Sequence, residues 1–124
     1  YYELQDVLDV FFGLSQADLN LLLNKSKVNV LLSLKEGSNR TIFEGFFANV
    51  PGIVLKANIG VNKNYINDCT GLLIDEADLV STLRFCRKNY MTFSPQQWAL
   101  EHISPLITTK KLIDALYGPE AIDD

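Results

Sequence analysis

Glu36 and Glu44 stand seven residues apart, with Gly37-Ser38-Asn39-Arg40-Thr41-Ile42-Phe43 between them. An ionised carboxylate only accepts hydrogen bonds, so two of them suit a ligand rich in hydroxyl donors. Main-chain N–H groups at the start of a helix lack internal partners and favour anions, phosphate above all. A segment offering both kinds of group fits a molecule that joins hydroxyls to phosphates, as a nucleoside diphosphate sugar does. Glu36 and Glu44 are the candidate hydroxyl acceptors, and the backbone from Ser38 to Ile42 is the candidate phosphate cradle.

The elements on either side must bring these groups together. Val28 to Leu34 is an apolar run that reads as a buried strand, and the apolar residues from Ile42 to Val50 read as a helix, so the acids bracket a strand-to-helix turn. In a parallel α/β sheet that position is the carboxyl edge, where ligands bind. Glu44 lies in an otherwise apolar helix, so it either faces a ligand crevice or is neutralised by Arg40 one turn earlier.

At these residues the chain resembles the retaining glycosyltransferases of the GT-B fold, in the large group-one family marked by Glu, seven residues, then Glu. The flanking pieces follow that family's order: a helix begun at Ser15, the Val28–Leu34 strand, the motif, Pro51 with the strand Gly52 to Lys56, then Thr70-Gly71-Leu72-Leu73-Ile74-Asp75. The resemblance runs from about Phe12 to Tyr117. It implies that Glu36 meets donor-sugar hydroxyls as the catalytic carboxylate, that Glu44 holds the ribose, and that Gly37, Ser38, Asn39, Arg40, Thr41 and Ile42 line the diphosphate. Asn39 departs from the pattern by replacing a second glycine, and Asn tolerates left-handed backbone better than other non-glycine residues.

The resemblance further implies a fold: a truncated GT-B C-terminal domain, α/β, with a Rossmann-like parallel sheet and flanking helices. Residues 1–124 then form one partial nucleotide-sugar-binding domain, without the acceptor domain and the first strands of the donor domain. The implied activity is transfer of a sugar from a nucleoside diphosphate to a hydroxyl of a glycan or lipid-linked acceptor. This segment alone is expected to be inactive, and neither cofactor nor metal is expected.

Composition narrows the classes. A length of 124 residues fits one domain. A formal net charge of -4 with scattered Lys and Arg gives no footprint for nucleic acid. No apolar stretch reaches the roughly 18 residues of a membrane span, and Cys69, Cys86 and the single His102 make no metal-binding pattern. A soluble, cytoplasmic protein with reduced cysteines is the expectation. Dinucleotide, P-loop and nucleophile-elbow glycine motifs are absent from the sequence.

Elsewhere, Ser15-Gln16-Ala17-Asp18 reads as a helix start running to about Ser26, and Ala77 to Asn89 as a helix with acids first and bases last. Ser94-Pro95 opens another helix, and Thr108 caps the last one before Gly118-Pro119. Leu4, Val7, Leu8, Phe11 and Phe12 recur at helical spacing, while the resemblance implies a short strand at about Leu8 to Phe12, the reading preferred here. The loop Asn58 to Asn64 belongs on the same edge as the motif, so Asn58 and Lys63 are further donor-site candidates. Trp98, with Phe93 and Tyr90, reads as core rather than as a sugar-stacking platform.

Strand order 3-2-1-4-5-6 would leave Val28–Leu34 without its inner neighbour. The expected remedy is an N-terminal segment that pairs beside it or covers it as a helix, or self-association through the truncated sheet edge. The alternative to the enzyme reading is a non-catalytic Rossmann-like interaction module in which the acids serve only capping and solubility.

Overall fold

A computed structural model describes residues 6–37 and 39–119. Three strands, β1 (Asn29–Leu31), β2 (Gly52–Leu55) and β3 (Gly71–Ile74), form a sheet in the order β1-β2-β3, and both pairings are parallel. Val30 lies opposite Ile53, and Val54 opposite Leu73. Five helices accompany them: α1 (Gln16–Lys25), α2 (Arg40–Phe47), α3 (Leu79–Asn89), α4 (Pro95–His102) and α5 (Pro105–Tyr117). The mixed α/β class and the parallel sheet are as expected from the alternation of apolar runs.

β2 is the central strand and is buried along its whole length, which fits its continuous Gly-Ile-Val-Leu sequence. Its alternating side chains feed two cores. Val54 packs with Ile42 and Phe46 of α2, Ala99 of α4, and Val61 and Ile66 from the loop after β2. On the opposite face Ile53 and Leu55 join Ile74 and Cys86 of α3. The sheet therefore carries helices on both faces, α2 and α4 on one and α3 on the other.

Several boundaries differ from the sequence reading for local reasons. The ladder part of the first strand is only Asn29–Leu31; the chain then bends and re-pairs once, Lys35 beside Ile59. α2 stops at Phe47, before Pro51, because Asn49 takes φ 62 and turns the chain while Val50 N–H donates to Gly45 O at 2.8 Å. α4 seals that end: the Gln96 side-chain amide donates to Phe47 O at 2.9 Å. Ser104, not Thr108, caps α5, with Pro105 at the first helical position.

Of the expected remedies at the N-terminus, neither a strand beside β1 nor a helix formed by residues 6–14 is present. Residues 6–14 form neither strand nor helix, and every residue from Asp6 to Asp18 is exposed. No side chain of α1 belongs to either core cluster, although Leu23 is buried. Among the described residues nothing pairs with the outer edge of β1. A short helix linked through Gly13 at φ 61 has too little apolar purchase on the sheet to hold the preceding segment against it. The part of that expectation that concerns Leu4 lies outside the described residues.

Candidate functional site

The candidate site begins where β1 leaves the sheet. Glu36 N–H donates to Ile59 O at 2.8 Å, and Ile59 N–H to Leu34 O at 2.8 Å, so the segment carrying Glu36 is held against the loop that follows β2. Asn58 underpins that contact. Its fully buried side chain donates to Ser33 O at 2.8 Å and accepts from Val61 N–H at 3.1 Å. Asn58 therefore shapes the loop and does not face a ligand, which corrects its assignment as a donor contact: a buried amide must spend its polar atoms inside the protein.

The Glu36 side chain is half-buried, and its carboxylate accepts from Ser33 Oγ at 2.6 Å. This bond fixes one oxygen and leaves the other lone pairs to serve a donor. Ser33 was overlooked in the sequence because it sits inside an apolar run; a hydroxyl three residues before an acid in a strand exit is the signal that marks it. Gly37 follows in open surroundings, with nothing within 4 Å of where a Cβ would stand. Ser38 lies outside the described residues.

Asn39 has extended backbone, φ -89 and ψ 112, rather than the left-handed form its place in the motif suggested. It is the N-cap of α2, and its buried Oδ1 accepts from Ile42 N–H at 2.9 Å. Asn thus supplies a side-chain acceptor that glycine lacks. The cap also occupies the amide of Ile42, and the Ile42 side chain is core, 1% exposed, so Ile42 is withdrawn from the ligand set. The first two helical amides, Arg40 and Thr41, have no acceptor among the described residues, and both side chains are exposed.

Glu44 is half-buried, one turn further along α2. The ion pairs among the described residues are Lys56–Asp75 at 3.4 Å and Lys110–Asp114 at 3.0 Å, so Arg40 does not neutralise Glu44. With Ile42, Gly45 and Phe46 turned into the protein, Glu44 lies on the opposite side of the helix from that core stripe. The four steps from Glu36 to Arg40 span at most about 14 Å of chain. Four helical steps from Arg40 add about 6 Å, which bounds how far apart the two acids can lie.

Lys63 reaches the same edge. Its Nζ donates to Lys56 O at 2.6 Å, which anchors a cation at the carboxyl end of β2. Lys56 itself faces Asp75 at the end of β3. Trp98 is half-buried, edge-on to Phe46 and stacked on His102 with ring centroids 4.6 Å apart, while Phe93 packs into the other core. A platform of Trp98 with Phe93 is therefore excluded by the sheet between them. No group of three or more His, Cys, Asp or Glu side chains is placed to hold a metal among the described residues.

Comparison with protein-family models, with curated proteins and with solved structures finds no match to this chain. The site therefore rests on its own geometry: a parallel-sheet edge, two acids, two helix amides without an acceptor among the described residues, and a tethered lysine. No helix among the described residues is long and apolar enough to cross a membrane.

Proposed function

We propose that the chain is the donor-binding part of a retaining glycosyltransferase, which takes a sugar from a nucleoside diphosphate to an acceptor hydroxyl. The observation that supports this reading is the capped start of α2: the Arg40 and Thr41 amides have no acceptor among the described residues, directly after a Glu36 segment bonded to the Ile59 loop at the carboxyl edge of the sheet. Amides aimed at a developing negative charge need no reorganisation during the reaction, so they would stabilise the departing diphosphate. Glu36, steadied by Ser33 Oγ, would orient sugar hydroxyls, and Glu44 would accept from the ribose. Lys63 is available as a point charge for phosphate. A cytoplasmic setting and a glycan or lipid-linked acceptor belong to this proposal.

The test is amide-resolved NMR of the 124-residue chain titrated with UDP, GDP and ADP. At least one nucleotide is expected to shift the Arg40 and Thr41 resonances, with weaker binding in Glu44→Ala. Sugar transfer by the chain alone is not expected, because the resemblance assigns acceptor binding to other segments. An unmoved Arg40–Thr41 pair at about 10 mM nucleotide, well above the ~1 mM range of weak binding, would overturn the reading. Nucleotide binding that ignores Glu44→Ala instead favours the second reading, a non-catalytic interaction module, for which the exposed leucines beside β1 speak.

A further inference from the structure

Two unsatisfied features of the fold match each other. The first is the outer edge of β1. In a parallel ladder alternate residues bond to the neighbouring strand; Asn29 N–H donates to Pro51 O at 2.9 Å, so the main-chain groups of Val28 and Val30 point the other way. The second is the segment Val7–Phe12, which is irregular and apolar. Val7 is 80% exposed, Val10 64% and Phe12 90%. A strand edge without a partner among the described residues and an exposed apolar arm are each an association hazard alone.

We propose that two copies of this chain associate by exchanging arms, residues 7–12 of each adding as a strand to the β1 edge of the other. Because each copy gives an arm and receives one, the arrangement closes at a dimer. Charge chooses between the two edges of the sheet. The arm carries Asp9 and follows Asp6; β1 is flanked by Lys25, Lys27 and Lys35 against one acid, Glu36, whereas β3 runs into Asp75, Glu76 and Asp78. An acidic arm is attracted to the first edge and repelled by the second. Leu32 and Leu34, 51% and 61% exposed, offer the arm's apolar residues a surface just past the strand.

The four phenylalanines of two exchanged arms supply at most about 600–1,000 Å² at roughly 150–250 Å² each, and Val7, Leu8 and Val10 of both arms add to it towards the roughly 1,200 Å² at which specific interfaces begin. The inference is independent of the glycosyltransferase reading, since it uses none of the residues assigned to the donor.

Light scattering across a dilution series of the whole chain, combined with amide hydrogen exchange, tests it. The expected result is a dimer with a dissociation constant of about 10 µM or tighter. Val10→Asp with Phe12→Asp, both at exposed sites, should weaken it by about 100-fold or more by placing charges in an apolar contact. The Val28 and Val30 amides should be protected in the native dimer and lose that protection in the double variant. A monomer throughout, a dimer indifferent to the arm substitutions, or protection gained on β3 in place of β1 would each overturn the proposal.

Discussion

A Cβ placed on Gly60 would stand 1.8 Å from the main-chain oxygen of Glu36, and Gly60 holds φ at +118. The two residues are adjacent because the Ile59 bridge draws the loop after β2 onto the exit from β1. Gly60→Ala is expected to cost about 3 kcal/mol or more, since strained backbone and a main-chain clash combine. Gly37→Ala, with nothing within 4 Å and no positive φ, should change stability by less than about 0.5 kcal/mol. Urea denaturation of the pair measures this difference, and equal losses would contradict the account of the loop.

Asn39 separates a folding role from a ligand role. Asn39→Ala should lower stability by about 1 kcal/mol through loss of the bond to Ile42 N–H. Asn39→Asp should preserve stability, because a carboxylate accepts the same bond and suits the positive end of the helix. In the donor-site proposal Asn39→Asp nevertheless weakens nucleoside diphosphate binding by repelling phosphate. Thermal melts beside nucleotide titrations read the two effects, and nucleotide binding unchanged in Asn39→Asp would remove the phosphate from the start of α2.

Ser33→Ala removes the hydroxyl that the Glu36 carboxylate accepts at 2.6 Å. Stability should fall by no more than about 3 kcal/mol, the upper end of the scale for a bond with a charged partner. Binding of a nucleotide sugar should weaken while binding of the bare nucleotide stays the same. That contrast, read by titrating each ligand, distinguishes a sugar-orienting acid from one that only supports the loop.

The two cysteines should react in sequence. Cys69 is exposed, and Cys86 is 1% exposed with its thiol pushed above the ordinary value of 9.0 by burial. A thiol reagent should modify Cys69 promptly in the folded chain and Cys86 only on unfolding. The same burial sets a pH dependence: once pH exceeds the ordinary thiol value, the unfolded chain ionises and the native one does not. The stability contributed by this group is present below that value and is lost as pH rises through the higher folded value. Cys86→Ala should flatten that alkaline decline, measured by denaturation at increasing pH, although it lowers stability at every pH through the cavity it leaves.

Much of the sheet was legible because β2 is a run of β-branched and apolar residues between Pro51 and a polar loop, and burial on both faces needs no other signal. Ser15, Pro95 and the acid-to-base order of α3 announced their helices through capping and dipole chemistry. The arm was not legible, since Leu4 to Phe12 has helical spacing while the resemblance implied a strand, and only tertiary support could decide between them. Asn58 and Asn39 misled for a related reason: Asn in a loop reads as a ligand group, whereas both turn inward to satisfy main-chain atoms. Gly60 acts on Glu36 across a bridge between distant segments that no local pattern encodes.

α5 extends over thirteen residues, yet none of them is buried. Its hydrocarbon is turned outward, with Leu106 at 79% and Tyr117 at 77% exposure. Such a segment contributes little to global cooperativity, and it is expected to open on its own while the sheet stays intact. Proteolytic nicking between Ser104 and Gly118 should accordingly precede any loss of the β2 signal, leaving a trimmed domain that still folds.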